Sequence, residues 1–166
     1  MKTLEYDEII ENDEDGQKDK YLTFLINNES YGIEIKYVTE IIGIQKITSI
    51  PEMPNYVKGV INLRGSVIPV MDLRLRFRME EIEYNDRTCI IVVHFEETKF
   101  GIIVDFVSEV MNITADMIEN TSKGFSMGKN KYIKGIAKVG ENVKIIINVD
   151  LLFKLEELEE IFDRIW

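Results

Sequence analysis

Side chains able to carry nucleophilic or metal chemistry are rare in this sequence. The chain has one histidine, His94, and one cysteine, Cys89, five positions apart. On an alternating strand this odd spacing puts the two side chains on opposite faces, which argues against a Cys–His catalytic pair. One histidine and one cysteine also cannot supply the four ligands of a zinc site. Because Asn62-Leu-Arg-Gly lacks the pattern of a phosphate-binding loop, we expect no catalytic residues, no metal and no cofactor.

The other charged groups form short clusters. The paired acids Glu80-Glu81 and Glu96-Glu97 stand in predicted turns, where charged side chains are usually solvated. Arg74, Arg76 and Arg78 alternate, which is consistent with an anion-binding patch or with a solvated face. Because these side chains fan out in a helical turn, we expect the solvated face.

The chain repeats one order of short motifs in its two halves, which indicates two similar structural units. The offset between matched motifs is 69 residues at the front and 78 at the back, so insertions separate them. The first half holds Tyr21-Leu-Thr-Phe-Leu, Tyr31-Gly-Ile, Val38-Thr-Glu-Ile-Ile, Tyr56-Val-Lys-Gly-Val-Ile and Ile68-Pro-Val-Met-Asp-Leu. The second half holds Ile90-Ile-Val-Val, Phe100-Gly-Ile, Val107-Ser-Glu-Val-Met, Tyr132-Ile-Lys-Gly-Ile-Ala and Ile146-Ile-Asn-Val-Asp-Leu.

Arg64 is the residue that breaks this repeat. It lies at the tip of a predicted hairpin, Asn62-Leu-Arg-Gly-Ser, whose counterpart is Val139-Gly-Glu-Asn-Val. A residue present in one unit only is a candidate for an asymmetric binding function. The alternative is an ordinary exposed arginine in a turn.

Charge is concentrated at the two ends of the chain. Net charge is −10, of which residues 1–20 carry −5 and residues 150–166 carry −4. The nearly neutral body argues against a nucleic-acid footprint. A single cysteine excludes a disulfide framework and indicates a cytoplasmic protein. The sequence also has no secretory h-region and no apolar run of membrane-spanning length.

Short apolar runs separated by turn residues predict a mainly β fold. Each half holds about five strands, enough for a small barrel that buries an apolar face against its twin. Asp72 and Asp150 are predicted to be matching N-caps of short closing helices. Gly32 and Gly101 are expected in equivalent turns or bends.

We expect three segments in the chain. Residues 1–19 form an acidic mobile tail, with 1–18 dispensable for folding, because few apolar groups reward its ordering. Residues 20–153 form the folded domain, with repeats at about 20–85 and 87–153, and residues 122–131 a flexible loop. Residues 154–166 continue the second closing helix as an acidic C-terminal helix.

The segment Lys58-Gly-Val-Ile-Asn-Leu-Arg-Gly-Ser-Val-Ile-Pro-Val-Met-Asp-Leu-Arg closely resembles the signature of the CheW family of chemotaxis coupling proteins. Tyr31-Gly-Ile, Val38-Thr-Glu-Ile, Gly101-Ile-Ile-Val-Asp and Tyr132-Ile-Lys-Gly-Ile extend the resemblance over roughly 21–153. The resemblance implies two five-stranded SH3-like barrels related by a pseudo-twofold axis, with short helices and a C-terminal helix.

It also implies a non-catalytic adaptor that joins the cytoplasmic tips of chemoreceptors to the regulatory domain of the histidine kinase CheA. Such an adaptor is cytoplasmic and is recruited to receptor arrays at the inner face of the membrane. It contacts no nucleic acid and does not insert into the membrane. The alternative is a CheW-like scaffold of another receptor–kinase pathway, such as twitching motility.

The family's receptor contact lies in a groove between the barrels. Carried onto this chain, it uses Arg64 with Val38, Glu40 and Ile41 of one strand. A second group of residues lines the opposite wall of the groove, namely Gly101 and Val104. Core packing is the alternative for Val38 and Ile41, because apolar strand residues are usually buried. The family's kinase contact uses exposed barrel ends, which the sequence does not locate.

Overall fold

The structure is a computed structural model. It describes residues 15–120 and 132–153, together with the isolated positions 160 and 163. Most of the predicted acidic tail, the loop at 122–131 and most of the predicted C-terminal helix therefore lie outside the described residues. Glu160 and Asp163 are helical and exposed. No helix in the described stretches is long and apolar enough to span a membrane.

The described residues form eleven strands with short helical segments between them. The strands are β1 Lys20–Ile26, β2 Glu29–Glu34, β3 Val38–Gly43, β4 Val57–Leu63, β5 Ser66–Asp72, β6 Cys89–Phe95, β7 Thr98–Val104, β8 Phe106–Asn112, β9 Ile118–Asn120, β10 Ile133–Val139 and β11 Asn142–Ile147. The helices are α1 Leu73–Arg76 and α2 Val149–Phe153, with 3-10 turns at Asp15–Gln17, Ile35–Tyr37 and Ala115–Met117. The mainly β prediction is confirmed.

The strands form two mixed sheets, and each sheet takes strands from both halves of the sequence. The first sheet has the order β8-β1-β2-β11-β10-β9, and the second has the order β3-β6-β7-β5-β4. The expectation that each half folds into its own barrel is therefore wrong. The halves exchange strands through two parallel pairs, β2 with β11 and β5 with β7.

Short connections show that the first sheet is curled. If the sheet were flat, its edge strands β8 and β9 would lie about 24 Å apart. Only residues 113–117 join them, a connection that spans at most about 22 Å when fully extended. Three of these residues form a 3-10 turn, which shortens the connection further. In the second sheet, Thr48 follows edge strand β3 and forms a bridge with Val60 on the opposite edge strand.

The two sheets are equivalent strand by strand, consistent with the pseudo-twofold arrangement. Gly32 pairs with Ile146 in the first sheet, as Gly101 pairs with Val70 in the second. Gly32 and Gly101 differ by 69 positions, as predicted, but Val70 and Ile146 differ by 76, not 78. The residue equivalent to Asp72 is therefore Asn148.

The matching of Asp72 with Asp150 is wrong for this reason. Asp72 is the N-cap of α1, and its carboxylate accepts from the amide of Leu75 at 3.2 Å. In α2, Asn148 precedes the helix and accepts from the amide of Leu151 at 3.3 Å. Asp150 lies inside α2, where its carboxylate accepts from the hydroxyl of Tyr37 at 3.0 Å.

Gly32 and Gly101 also differ from their prediction, because both lie inside strands rather than in turns. Neither has a positive φ. Their equivalence nevertheless holds, since each lies where the two halves pair in parallel. A Cβ at Gly101 would approach Ile90 Cγ2 to 2.7 Å, and one at Gly32 would approach Ile146 Cδ1 to 3.2 Å. Close packing, not backbone conformation, favours glycine at both positions.

The core has three parts, because the central strands bury both of their faces. One cluster joins the facing sides of the two sheets and includes Phe24, Ile91 and Phe100. A second lies inside the second sheet, with Ile90 and Val92, and a third lies inside the first sheet. Adjacent residues of β6 thus contribute to different clusters, as the alternation of side chains in a strand requires.

Candidate functional site

The hairpin between β4 and β5 presents Arg64 to solvent. Leu63 pairs with Ser66, so Arg64 and Gly65 form a two-residue loop. Their φ angles of 49° and 88° are both positive, as in the type I′ turns that suit hairpins. The amide of Gly65 donates to the side-chain oxygen of Asn62 at 2.9 Å, which stabilises the turn. The predicted hairpin, with Gly65 at positive φ, is confirmed.

Glu40 on β3 is the ion-pair partner of Arg64, whose guanidinium donates to the Glu40 carboxylate. The contact joins the two edge strands of the second sheet. The Arg64 side chain is 70% exposed and that of Glu40 only 19% exposed. Because exposed ion pairs contribute little stability, the main consequence of this pair is to orient Arg64.

Val38 and Ile41 lie beneath this pair, in the core between the sheets. Each is 3% exposed. The pairing of β3 with β6 shifts register between Val38 and Glu40, and such a bulge re-aims side chains. Val38 and Ile41 consequently point inward while Glu40 reaches the surface. Their burial favours the core-packing alternative, and the prediction that they contact a partner directly needs correction.

Gly101 and Val104 are buried as well. Gly101 on β7 lies against Ile90 and Val70 inside the second sheet, and Val104 is 1% exposed in the core between the sheets. Neither lines an open wall of a groove. Of the six predicted site residues, the structure brings Arg64 and Glu40 together at the surface and places the other four in the interior.

The ion pair is present in one of the two sheets only. The residue equivalent to Arg64 in the β10–β11 hairpin is Gly140, which has a φ of 63°. The residue equivalent to Glu40 is Glu109 on β8, which is exposed. The pseudo-symmetric scaffold thus carries a charged, oriented arginine at one hairpin and a bare turn at the other.

Val67 adds an exposed apolar group beside Arg64, which the sequence reasoning missed. It lies on β5, pairs with Asn62 and is 45% exposed. Strand alternation after the Gly65 turn was the signal that could have identified it, because Val67 precedes the buried Ile68. Exposed apolar area next to an oriented arginine is typical of a surface that binds another protein.

Cys89 and His94 are separated in the structure, as predicted. Cys89 is buried in the core between the sheets, and this burial raises the pKa of its thiol. Nδ1 of His94 lies 3.2 Å from the hydroxyl oxygen of Thr39. The described residues include no group of three or more His, Cys, Asp or Glu side chains arranged to hold a metal ion.

The predicted solvated face of Arg74, Arg76 and Arg78 is wrong for two of its three members. The Arg74 side chain is 11% exposed, and its Nη2 lies 3.0 Å from Oδ2 of Asp105. The Arg76 guanidinium lies over the rings of Tyr56 and Tyr132, at 4.3 and 4.8 Å from their centroids. Arg78 alone is exposed.

A rigid two-sheet scaffold with an oriented surface arginine defines a protein-binding module, and the comparisons with known proteins agree with this class. Residues 20–157 match the family model described as CheW-like domain. Chemotaxis protein CheW of Klebsiella aerogenes is 36% identical over 139 residues, which cover 84% of this chain and 84% of that protein. The protein of the same name in Bacillus subtilis is 33% identical over 138 residues, covering 83% and 88%.

A solved structure is similar over the same region. The scaffolding protein TtCheW from Thermoanaerobacter tengcongensis matches with a TM-score of 0.76 and 36% identity, over 84% of this chain and 94% of that one. This chain belongs to the CheW-like domain family.

Proposed function

We propose that this protein is a non-catalytic chemotaxis adaptor that couples methyl-accepting chemoreceptors to the histidine kinase CheA. Relatives named chemotaxis protein CheW, which it matches over most of their length, support the chemotaxis role. The solved relative is described as a scaffolding protein, which supports a function in assembly rather than in turnover.

The observation that carries the receptor part of this proposal is the Arg64–Glu40 pair. It is built on the second sheet and has no counterpart at Gly140 and Glu109 of the first. Structure shared by both sheets is accounted for by the repeat. A charged feature present once on a duplicated scaffold is better explained by a single partner.

Arg64 suits a helical partner. A chemoreceptor tip is a helical hairpin, which offers carboxylates and backbone carbonyls at its surface. A guanidinium offers five donors in a rigid fork and binds such acceptors in two-point contacts. Glu40 holds this fork in place before binding, so that less side-chain entropy is lost when the receptor is bound.

The buried residues of the predicted receptor site act by position. Val38 and Ile41 anchor β3 against the core, which fixes the place of Glu40. Val104 packs in the same core, and Gly101 permits the close pairing of β7 with β5. Substitutions at these residues then weaken receptor binding through displacement of β3 and the hairpin.

The kinase binds elsewhere on the chain, through its regulatory domain. Separate surfaces for the two partners allow both to be bound at once, which coupling requires. Because the cytoplasmic receptor tip is one partner, the protein works in the cytoplasm, in arrays at the inner face of the membrane.

Reconstitution with receptor-tip fragments and CheA tests the proposal. Receptor, adaptor and kinase should sediment together, and omission of the adaptor should leave the kinase in the supernatant. Equal sedimentation of the kinase without the adaptor would contradict coupling. Binding of neither partner would indicate a CheW-like scaffold of another pathway.

A further inference from the structure

A lysine-lined pocket of about 690 Å³ opens at the rim of the first sheet. Tyr21, Ala115 and Ile118 contribute apolar surface to it. Its charged lining is four lysines and two acids: Lys18, Lys20, Lys36, Lys134, Asp19 and Glu34. The pocket therefore has an excess of positive charge and favours an anionic occupant.

One carboxylate serves two of these lysines. Glu34 lies 2.7 Å from Nζ of Lys134 and 3.3 Å from Nζ of Lys36. Burial opposes ionisation of Glu34, but the hydrogen bonds and charges of the two lysines together lower its pKa. Within residues 15–120 and 132–153, Lys18 and Lys20 form no ion pair with a carboxylate. The lysines can therefore accept further acidic groups.

The second sheet shows what occupies the equivalent position there. Lys58, on β4, is equivalent to Lys134 on β10, since each precedes the equivalent glycine, Gly59 or Gly135. Nζ of Lys58 lies 2.6 Å from a carboxylate oxygen of Glu81. Glu81 belongs to the segment 79–88, which leads into β6.

This segment is acidic and packed onto the second sheet. It holds four acids and one arginine. Tyr84 packs against the core of that sheet, and its hydroxyl donates to Asp72 at 2.6 Å. The equivalent of β6 in the first sheet is β1, and the segment before β1 is also acidic, with six acids and one lysine in residues 1–14.

We propose that the acidic segment of residues 1–14 docks in the lysine-lined pocket of its own chain, as the segment 79–88 docks on Lys58. Gln17 lines the pocket, and the acids from Glu5 to Glu14 are 3 to 12 residues before it. A flexible chain of that length spans about 10 to 20 Å, so the acids stay within reach of the lysines. Tethering also raises their effective concentration at the pocket.

Docking differs from the mobile tail that composition predicts, because composition does not reveal the lysines beside which the tail begins. The contact is electrostatic and solvent-exposed, so it adds little to the thermal midpoint. A structural measurement is therefore the sharper test.

The experiment places a nitroxide label in the segment and measures its proximity to the pocket. Asn12→Cys carries the label without removing an acid, in a Cys89→Ala background whose fold is checked by its amide spectrum. We expect the label to broaden the amide signals of Lys20, Lys36 and Lys134 at low salt. The broadening at Lys134 should fall at least about threefold when the Debye length shrinks from about 30 Å to about 3 Å.

Two variants provide a matched comparison. Lys36→Gln with Lys134→Gln should reduce the broadening at Lys20 as much as high salt does. Lys99→Gln with Lys138→Gln, which removes two exposed lysines outside the pocket, should leave it unchanged. Broadening that neither salt nor the pocket variant reduces would overturn the proposal.

The same label distinguishes other occupants. Mixing labelled chains with unlabelled, isotope-enriched chains should leave the enriched chain unbroadened, and broadening there would assign the pocket to the segment of a second copy. If inorganic phosphate shifts the pocket amides while the label shows no salt-dependent contact, the pocket is a site for free anions and the proposal is wrong.

Discussion

Asp72 and Asn148 occupy the same place in the two sheets, although their side chains differ in charge. Their amides donate to the carbonyl oxygens of Tyr56 and Tyr132, each at 2.7 Å. Each side chain then accepts from the amide three residues further on, at 3.2 Å and 3.3 Å. A duplicated hydrogen-bonding position has thus kept its capping role while one copy is a carboxylate and the other an amide.

Loss of the Asp72 side chain should cost more stability than loss of the Asn148 side chain. Asp72 is 2% exposed and also accepts the hydroxyl of Tyr84, which Asp72→Ala would leave without this partner. We expect a loss of about 2–4 kcal/mol for Asp72→Ala and about 1 kcal/mol for Asn148→Ala. Urea denaturation of both variants measures the difference, and equal losses would contradict it.

The paired glycines should also respond unequally to alanine. At Gly101 the new methyl group would lie 2.7 Å from a branched methyl of Ile90, which has little room to move. At Gly32 it would meet the end of the Ile146 side chain at 3.2 Å, which can rotate. We expect Gly101→Ala to cost about 1–3 kcal/mol and Gly32→Ala less than about 1 kcal/mol. Thermal unfolding of the two variants would refute this if Gly32→Ala were the less stable.

The repeat could be aligned from sequence only where the spacing within strands is fixed. Motifs from β1 to β3 recur at 69 residues because alternation along paired strands tolerates no insertion. The later alignment followed the dipeptide Asp-Leu, present at Asp72 and Asp150, and missed the true equivalent Asn148. Only the hydrogen bonds of the folded chain distinguish the two possibilities.

Exchange of strands between the halves leaves no local signal in the sequence. Nothing around Gly32 indicates that it pairs with Ile146 from the other half. For the same reason, the sequence could identify β3 but not the sheet that covers Val38. Arg64 was identifiable because it departs from the repeat, whereas its partner Glu40 has an acidic counterpart in Glu109 and does not.

Val38→Glu should unfold the protein or destabilise it by about 4 kcal/mol or more, since it buries a charge in the core between the sheets. Val67→Glu is the matched control, because Val67 is 45% exposed and should tolerate the change. Circular dichroism and thermal melting distinguish the two variants. A folded Val38→Glu protein that fails to bind the receptor would instead restore Val38 as a direct contact.

Acid should remove the contribution of Glu34 to stability. The pKa of Glu34 is lowered in the folded state from its ordinary value of 4.5, because Lys134 and Lys36 outweigh the effect of burial. Its ionised form therefore stabilises the fold above about pH 4.5, and this contribution is lost as the pH falls through the folded pKa. Glu34→Gln should be less stable than the parent at pH 7.

At strongly acidic pH, where Glu34 is protonated in both states, the difference between the parent and Glu34→Gln should nearly vanish. Urea midpoints at the two pH values measure it. Glu119→Gln is the control, because the Lys138–Glu119 pair is well exposed, at 63% and 66%, and should contribute little. A difference for Glu34→Gln that persists unchanged in acid would show that the amide perturbs packing instead.

The affinity of Arg64→Ala for a receptor-tip fragment tests the adaptor function most directly, with Lys138→Ala on the other hairpin as control. We expect the variant to fold normally, to keep its affinity for CheA and to lose receptor affinity at least about tenfold, or roughly 1.4 kcal/mol. The control should bind both partners like the parent. Receptor affinity within about twofold of the parent, or loss of kinase binding in place of receptor binding, would contradict the assignment of Arg64 as the receptor anchor.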